Sequence, residues 1–216
     1  MAPLAQPARR HIVPTNLSEC MSNDRMREQL AFLAEIDALK TIVRQSPLAD
    51  RSRRENSAEH SWHLAMFALV FADDATVDTA RVIQMLLVHD IVEIDAGDTP
   101  IHGDHDRQAV AAREEAAADR LFGILPEDQA ANLLALWQEF EAAQTPEARF
   151  AKALDRLQPL LLNTLTGGGT WAENGVSEAD VLARYGPTIE RGSTALWRHA
   201  RTLVERHFAD AGVDRG

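Results

Sequence analysis

A chain of 216 residues, 45% hydrophobic and 25% charged, can bury one sizeable core without disulfides, as a single domain with or without an extension. Its formal net charge of −11 excludes duplex nucleic acid and an anionic membrane as main partners, because both require a basic face. A small anionic substrate, which meets only the charges lining its pocket, stays allowed.

Residues 1–20, rich in Pro and Ala, are expected to form a poorly ordered arm. From Ser22 the apolar period is helical, with Met26, Leu30, Leu33, Ile36 and Val43 on one stripe. Residues 47–54 make a charged connection. Asn56 followed by Glu59 predicts a capping box and a helix to about Phe71, which Asp73-Asp74 breaks. A third helix from about Val77 carries Val82, Leu86 and His89 on one side and ends at Gly97. A polar loop over 99–106 leads to a helix ending near Phe122, and Pro126 opens another ending near Ala143. Thr145-Pro146 starts a helix that must kink or stop at Pro159; its sequel ends at Gly167-Gly168-Gly169. Ser177 and Ser193 are expected to cap two last helices. No strand pair or internal repeat is evident, so the expected class is all-α. The single cysteine, Cys20, leaves no intrachain disulfide. With no signal-peptide pattern and no bilayer-spanning apolar run, a cytoplasmic location is expected.

The chemistry concentrates in a few places. His89-Asp90 lies in an otherwise apolar helix, where an adjacent imidazole and carboxylate are costly to bury without partners. Glu93 is four residues after His89 and three after Asp90, hence on the same face. Alone, the dipeptide reads more readily as a hydrogen-bonded core pair than as a metal site. His60 on the preceding helix and Asp155 on a later apolar one complete a mixed N/O set. That set suits one divalent ion (Mn, Co, Fe, Ni, Zn or Mg) and leaves coordination positions open.

The order His60 … His89-Asp90 … Asp155 resembles the H…HD…D signature of the HD-domain superfamily of metal-dependent phosphohydrolases, and within it the 5′-deoxynucleotidase branch. Supporting segments are Arg53-x-Glu55-Asn56-x-Ala58-Glu59-His60, then His89-Asp90-x-x-Glu93-x-x-x-Gly97-Asp98, and Leu39-Lys40 followed by Arg44. The likeness runs from about residue 25 to about 165. It implies an HD helical bundle over 21–166, with 167–216 as a C-terminal helical extension packed on the same domain. It also implies a metal held by His60, His89, Asp90 and Asp155, with Arg44 on the substrate phosphate. Glu93 and Asp98 would act as catalytic base and acid in an order left open, and Asp98 could instead bind the sugar. Relatives usually carry Trp just after the arginine; Gln45-Ser46-Pro47 stands there instead.

The function implied is hydrolysis of a nucleoside monophosphate or similar small phosphomonoester by a homodimer or higher oligomer. The Trp-containing segment after Gly169 is the surface expected to pair. A non-catalytic nucleotide sensor is the competing expectation, and a dinuclear oxygenase a weaker one. His63, His102 and His105 are possible extra ligands. Arg53 or Arg54 could border the phosphate entrance.

Overall fold

In the computed structural model, residues 24–71, 77–103 and 105–213 are described, so the expected N-terminal arm and the break at Asp73-Asp74 lie outside the described residues. The architecture is all-α: ten helices and one short hairpin among those residues. They are α1 (Asp24–Glu35), β1 (Val43–Pro47), β2 (Arg54–Asn56), α2 (Ser57–Val70), α3 (Thr79–Val88), α4 (Glu93–Ala96), α5 (Arg107–Phe122), α6 (Glu127–Ala142), α7 (Pro146–Leu165), α8 (Gly169–Glu173), α9 (Glu178–Gly192) and α10 (Thr194–Val213). None of the described helices is long and apolar enough to cross a membrane.

The first helical stripe is shorter than its period suggests. After Glu35 the chain tightens into a 3-10 segment (Ile36–Thr41), and Val43 enters a strand. Met26 and Leu33 stay on the surface, and Val43 is exposed as well. The missed strand pair, β1 with β2, is antiparallel and irregular, joining Val43 to Asn56 and Pro47 to Arg54. Its strands are five and three residues long without alternating apolar residues, so neither carries a sequence signal.

Capping chemistry sets the helices that carry the site. Asn56 accepts from the Glu59 amide while the Glu59 carboxylate accepts from the Asn56 amide, which starts α2 four residues before His60. Asp78 caps α3 and Thr145 caps α7, with Pro146 at its first position. Helix α7 neither stops nor divides at Pro159; it runs on to Leu165. The missing amide of Pro159 would have served the Asp155 carbonyl, so only one intrahelical bond is lost there.

The run from Thr79 to Ala96 is not one helix. It tightens into a 3-10 turn over His89–Val92 before α4, and Gly97, at φ 77°, ends it. This turn marks the passage between two apolar cores. Val82, Met85 and Leu86 belong to one core with Leu64, Phe140, Leu154, Trp171 and Tyr185. Val88, Ile91, Val92 and Ile94 belong to the other with Phe32, Leu121, Phe122 and Trp137. His89 and Asp90 therefore sit on the seam.

The C-terminal helices pack on the same body: α9 and α10 lie against α7 and against each other. Gly186 permits that close approach, since a Cβ there would meet the Trp197 ring at 2.7 Å. Trp171 is 1% exposed and donates its indole N–H to the Tyr185 hydroxyl at 3.3 Å. The extension thus buries its apolar surface internally, which removes the reason for expecting it to pair with a second copy.

Candidate metal centre

The seven site residues named from the sequence converge. His60 comes from α2, His89 and Asp90 from the 3-10 turn, and Asp155 from the middle of α7. His60 Nε2 lies 3.1 Å from Asp155 Oδ1, and His89 Nε2 lies 3.8 Å from the same oxygen. One ligand atom from each of His60, His89 and Asp155 falls within 4.8 Å of the others. Asp90 borders the group: its Oδ1 is 3.0 Å from His89 Nε2 and its Oδ2 is 4.0 Å from His60 Nε2. Donors about 2.1 Å from a shared cation lie roughly 3–4 Å apart, so these spacings fit one ion.

The ring nitrogens facing away from the cluster are already engaged. His89 Nδ1 donates to the Leu86 carbonyl at 2.8 Å. His60 Nδ1 donates to Gln158 Oε1 at 3.1 Å, and the orientation of that amide follows from its other end, where Nε2 donates to Glu55 Oε2 at 2.9 Å. Both rings therefore turn Nε2 toward the cluster, the arrangement by which an outer hydrogen bond orients a metal-binding histidine. His89 Nε2 is fully buried and has no hydrogen-bond partner. An orphan of that kind costs about 1–3 kcal/mol, and a cation at this point would satisfy it.

Electrostatics point the same way. Burial disfavours a charged His89, yet Asp90 and Asp155 outweigh it and hold the imidazole at about 10. Burial likewise opposes an ionised Asp155, but the His60 and His89 rings against it keep it well below the usual carboxylate range. Asp90 is drawn down to about 2, as His89 and Arg44 overcome its burial. The pocket is thus built to stabilise positive charge among these carboxylates.

Arg44, from β1, sits beside this group. Its Nη1 is 2.9 Å from Asp90 Oδ2, 3.5 Å from Glu93 Oε1 and 3.7 Å from Asp98 Oδ1, and its Nε is 3.8 Å from Glu55 Oε1. The hairpin absent from the sequence reading is what brings it there. Glu93 is buried beside Asp90, and burial together with that neighbouring charge pushes it up to about 9 against the pull of Arg44. Ser57 donates to Glu93 Oε2 at 2.5 Å, holding the carboxyl in place. Burial also raises Asp98, again opposed by Arg44.

A small cavity of about 60 Å³, open to solvent, adjoins the cluster. Its walls include Arg44, Gln45 and Ser46, then Asp98 and His102, then Asp155 and Arg156, and from the C-terminal helices Thr170, Asn174 and Tyr185. Sequence reasoning missed the inner partners Glu55, Ser57 and Gln158. A lone Gln in the apolar run of α7, three residues after Asp155, was the signal available for Gln158. His63 accepts from Gln158 Nε2 at 3.3 Å and stands outside the cluster. Arg53 and Arg54 do not border this cavity: they pair with Glu59 and Glu173.

A family model described as "HD domain" matches residues 36–197. The chain belongs to the HD-domain family. Human 5′-deoxynucleotidase HDDC2 is 31% identical over 145 residues, 67% of this chain and 71% of that relative. The crystal structure of a "Predicted metal-dependent phosphohydrolase" from Magnetospirillum magnetotacticum MS-1 is 54% identical, with a TM-score of 0.81, covering 87% of this chain and 97% of that one. The HD domain-containing protein YGK1 shares the fold at 20% identity, with a TM-score of 0.58 over 91% of this chain and 94% of the other.

Proposed function

We infer that this HD domain is a metal-dependent phosphohydrolase that cleaves a nucleoside monophosphate. One observation carries the assignment. Two buried imidazoles turn their Nε2 atoms to Asp155 beside a cavity lined by Arg44, Arg156 and Asp98, with the Glu93 carboxyl, of raised proton affinity, next to Arg44. Similarity to named 5′-deoxynucleotidases supports a nucleotide as substrate.

His60, His89 and Asp155, with Asp90 beside them, would hold the ion. A divalent cation there supplies Lewis acidity toward a phosphoryl oxygen and acidifies water. The remaining chemistry belongs to side chains. In hydrolysis a water oxygen bonds to phosphorus, the ester P–O bond breaks, one proton leaves the water and one joins the leaving oxygen. Glu93, deep beside Asp90 and fixed by Ser57, would be ionised by the cation's nearby charge and then take the proton from water. Asp98, on the cavity wall, protonates the leaving oxygen. Arg44 orders Asp90, Glu93 and Asp98 and offers its remaining N–H groups to the phosphate. Gln45 and Ser46 form the wall where relatives carry Trp, so no deoxyribose preference is assigned.

Two further features belong to the proposal: a cytoplasmic location, and a homodimer. With the extension buried, one face open to a second copy is the outer side of α2, where Trp62, Met66, Leu69 and Val70 are exposed. Phosphate release from nucleoside 5′-monophosphates and sugar phosphates, with Mn²⁺, Co²⁺ and Mg²⁺ in parallel, tests the activity. Release confined to nucleotides supports the assignment; no release from any substrate with any metal overturns it.

A further inference from the structure

Two arginines line the cavity, and their electrostatic situations are opposite. Arg44 is nearly buried and is held among Glu55, Asp90, Glu93 and Asp98, all within 3.8 Å. Arg156, the residue after Asp155 on α7, is half-buried. Among the described residues it has no hydrogen-bond or ion-pair partner.

Other arginines without a side-chain partner, such as Arg107, Arg113 and Arg198, are exposed, whereas Arg156 is not. Arg53 is paired with Glu59, Arg54 with Glu173, Arg81 with Glu139, and Arg120 with both Asp95 and Glu35. In a chain of net charge −11, an arginine on a cavity wall with no carboxylate bound to it is a vacant anion contact. Its surroundings agree. The Arg156 charge acts on Asp155, His102 and Tyr185, which line the same cavity. Thr170 and Asn174 on that wall add polar groups. A phosphate anion entering the cavity would meet the divalent cation at one end and the Arg44 and Arg156 guanidinium groups on the walls.

We propose that Arg156 is a further cationic contact for the substrate's phosphate, acting beside the metal and Arg44. The assignment rests on the phosphohydrolase reading for its substrate, but its ligand chemistry, a phosphate anion at a free guanidinium, stands on the cavity itself. Arg156 would be a substrate-binding residue, distinct from the acid and base.

The test is calorimetric titration of the metal-loaded full chain with inorganic phosphate and with a nucleoside 5′-monophosphate, alongside steady-state kinetics. Arg156→Ala should weaken binding of both ligands and raise KM by ~10- to 100-fold, the worth of a charged hydrogen bond, with a smaller change in kcat. Arg156→Lys should recover part of the loss. Arg198→Ala, which removes an exposed arginine on α10, should change nothing and controls for net charge. Phosphate affinity and KM unchanged in both Arg156 variants would overturn the proposal, as would a loss confined to kcat. If the wild type hydrolyses no phosphomonoester yet Arg156→Ala still abolishes phosphate binding, the functional reading fails and the Arg156 assignment stands.

Discussion

Gln158 joins Glu55 to His60: its amide N–H donates to Glu55 at 2.9 Å while its oxygen accepts from His60 Nδ1 at 3.1 Å. The consequence is a fixed tautomer, with the Nε2 lone pair of His60 aimed at Asp155. Gln158→Leu keeps the helix and all four proposed ligands but frees the ring. Metal affinity, read by competition with a chromophoric chelator, should fall ~10- to 100-fold. Unchanged affinity would show that the relay is irrelevant to the metal.

Glu93→Gln preserves shape and removes the ability to accept a proton. Bound metal should stay at the wild-type level, kcat should fall by ~10²–10⁴-fold, and KM should change little. A variant that loses its metal would place Glu93 among the ligands instead.

The same substitution has a pH signature in chelated protein. Folded Glu93 is held at about 9, against an ordinary value of 4.5. Above the ordinary value the unfolded chain gives up this proton while the folded chain retains it. The group therefore lowers stability progressively as pH rises toward about 9, and levels off beyond. The melting temperature of Glu93→Gln minus that of wild type, both metal-free, should increase between pH 5 and pH 9. A difference independent of pH would contradict the placement of this carboxyl.

Trp62 is 62% exposed on the face of α2 that also carries Met66, Leu69 and Val70. If that face pairs with a second copy, Trp62→Glu should convert a dimer to a monomer in sedimentation velocity at micromolar concentration, with the fold intact by circular dichroism. A wild-type monomer under those conditions, or a variant that stays dimeric, would dismiss this interface.

Much of the fold was legible because capping chemistry is local. Asn56 with Glu59, Thr145 with Pro146, and Ser177 each needed only neighbours within three residues to be effective, and each starts its helix as expected. The proposed metal ligands stood out because charged groups in apolar helices need partners. What was not legible depends on distant contacts. Val43 continues a helical period by spacing alone, but Arg44 is drawn to carboxylates dozens of residues away, and the segment extends as a strand. Glu55 was legible only as a position in a motif, with no role, and is 2% exposed beneath His60 and Arg44. The 3-10 turn at His89 leaves no sequence signature, because it arises where the chain crosses from one core to the other.

The central claim is that one metal ion, held by His60, His89, Asp155 and Asp90, is required for phosphoester hydrolysis. The most direct measurement is phosphate release from a nucleoside 5′-monophosphate by metal-stripped protein as Mn²⁺ or Co²⁺ is added in known molar ratio. Activity should be absent at the start, rise linearly, and reach its plateau at one equivalent per chain. Full activity in the stripped protein, or a plateau only at two equivalents, would contradict the account.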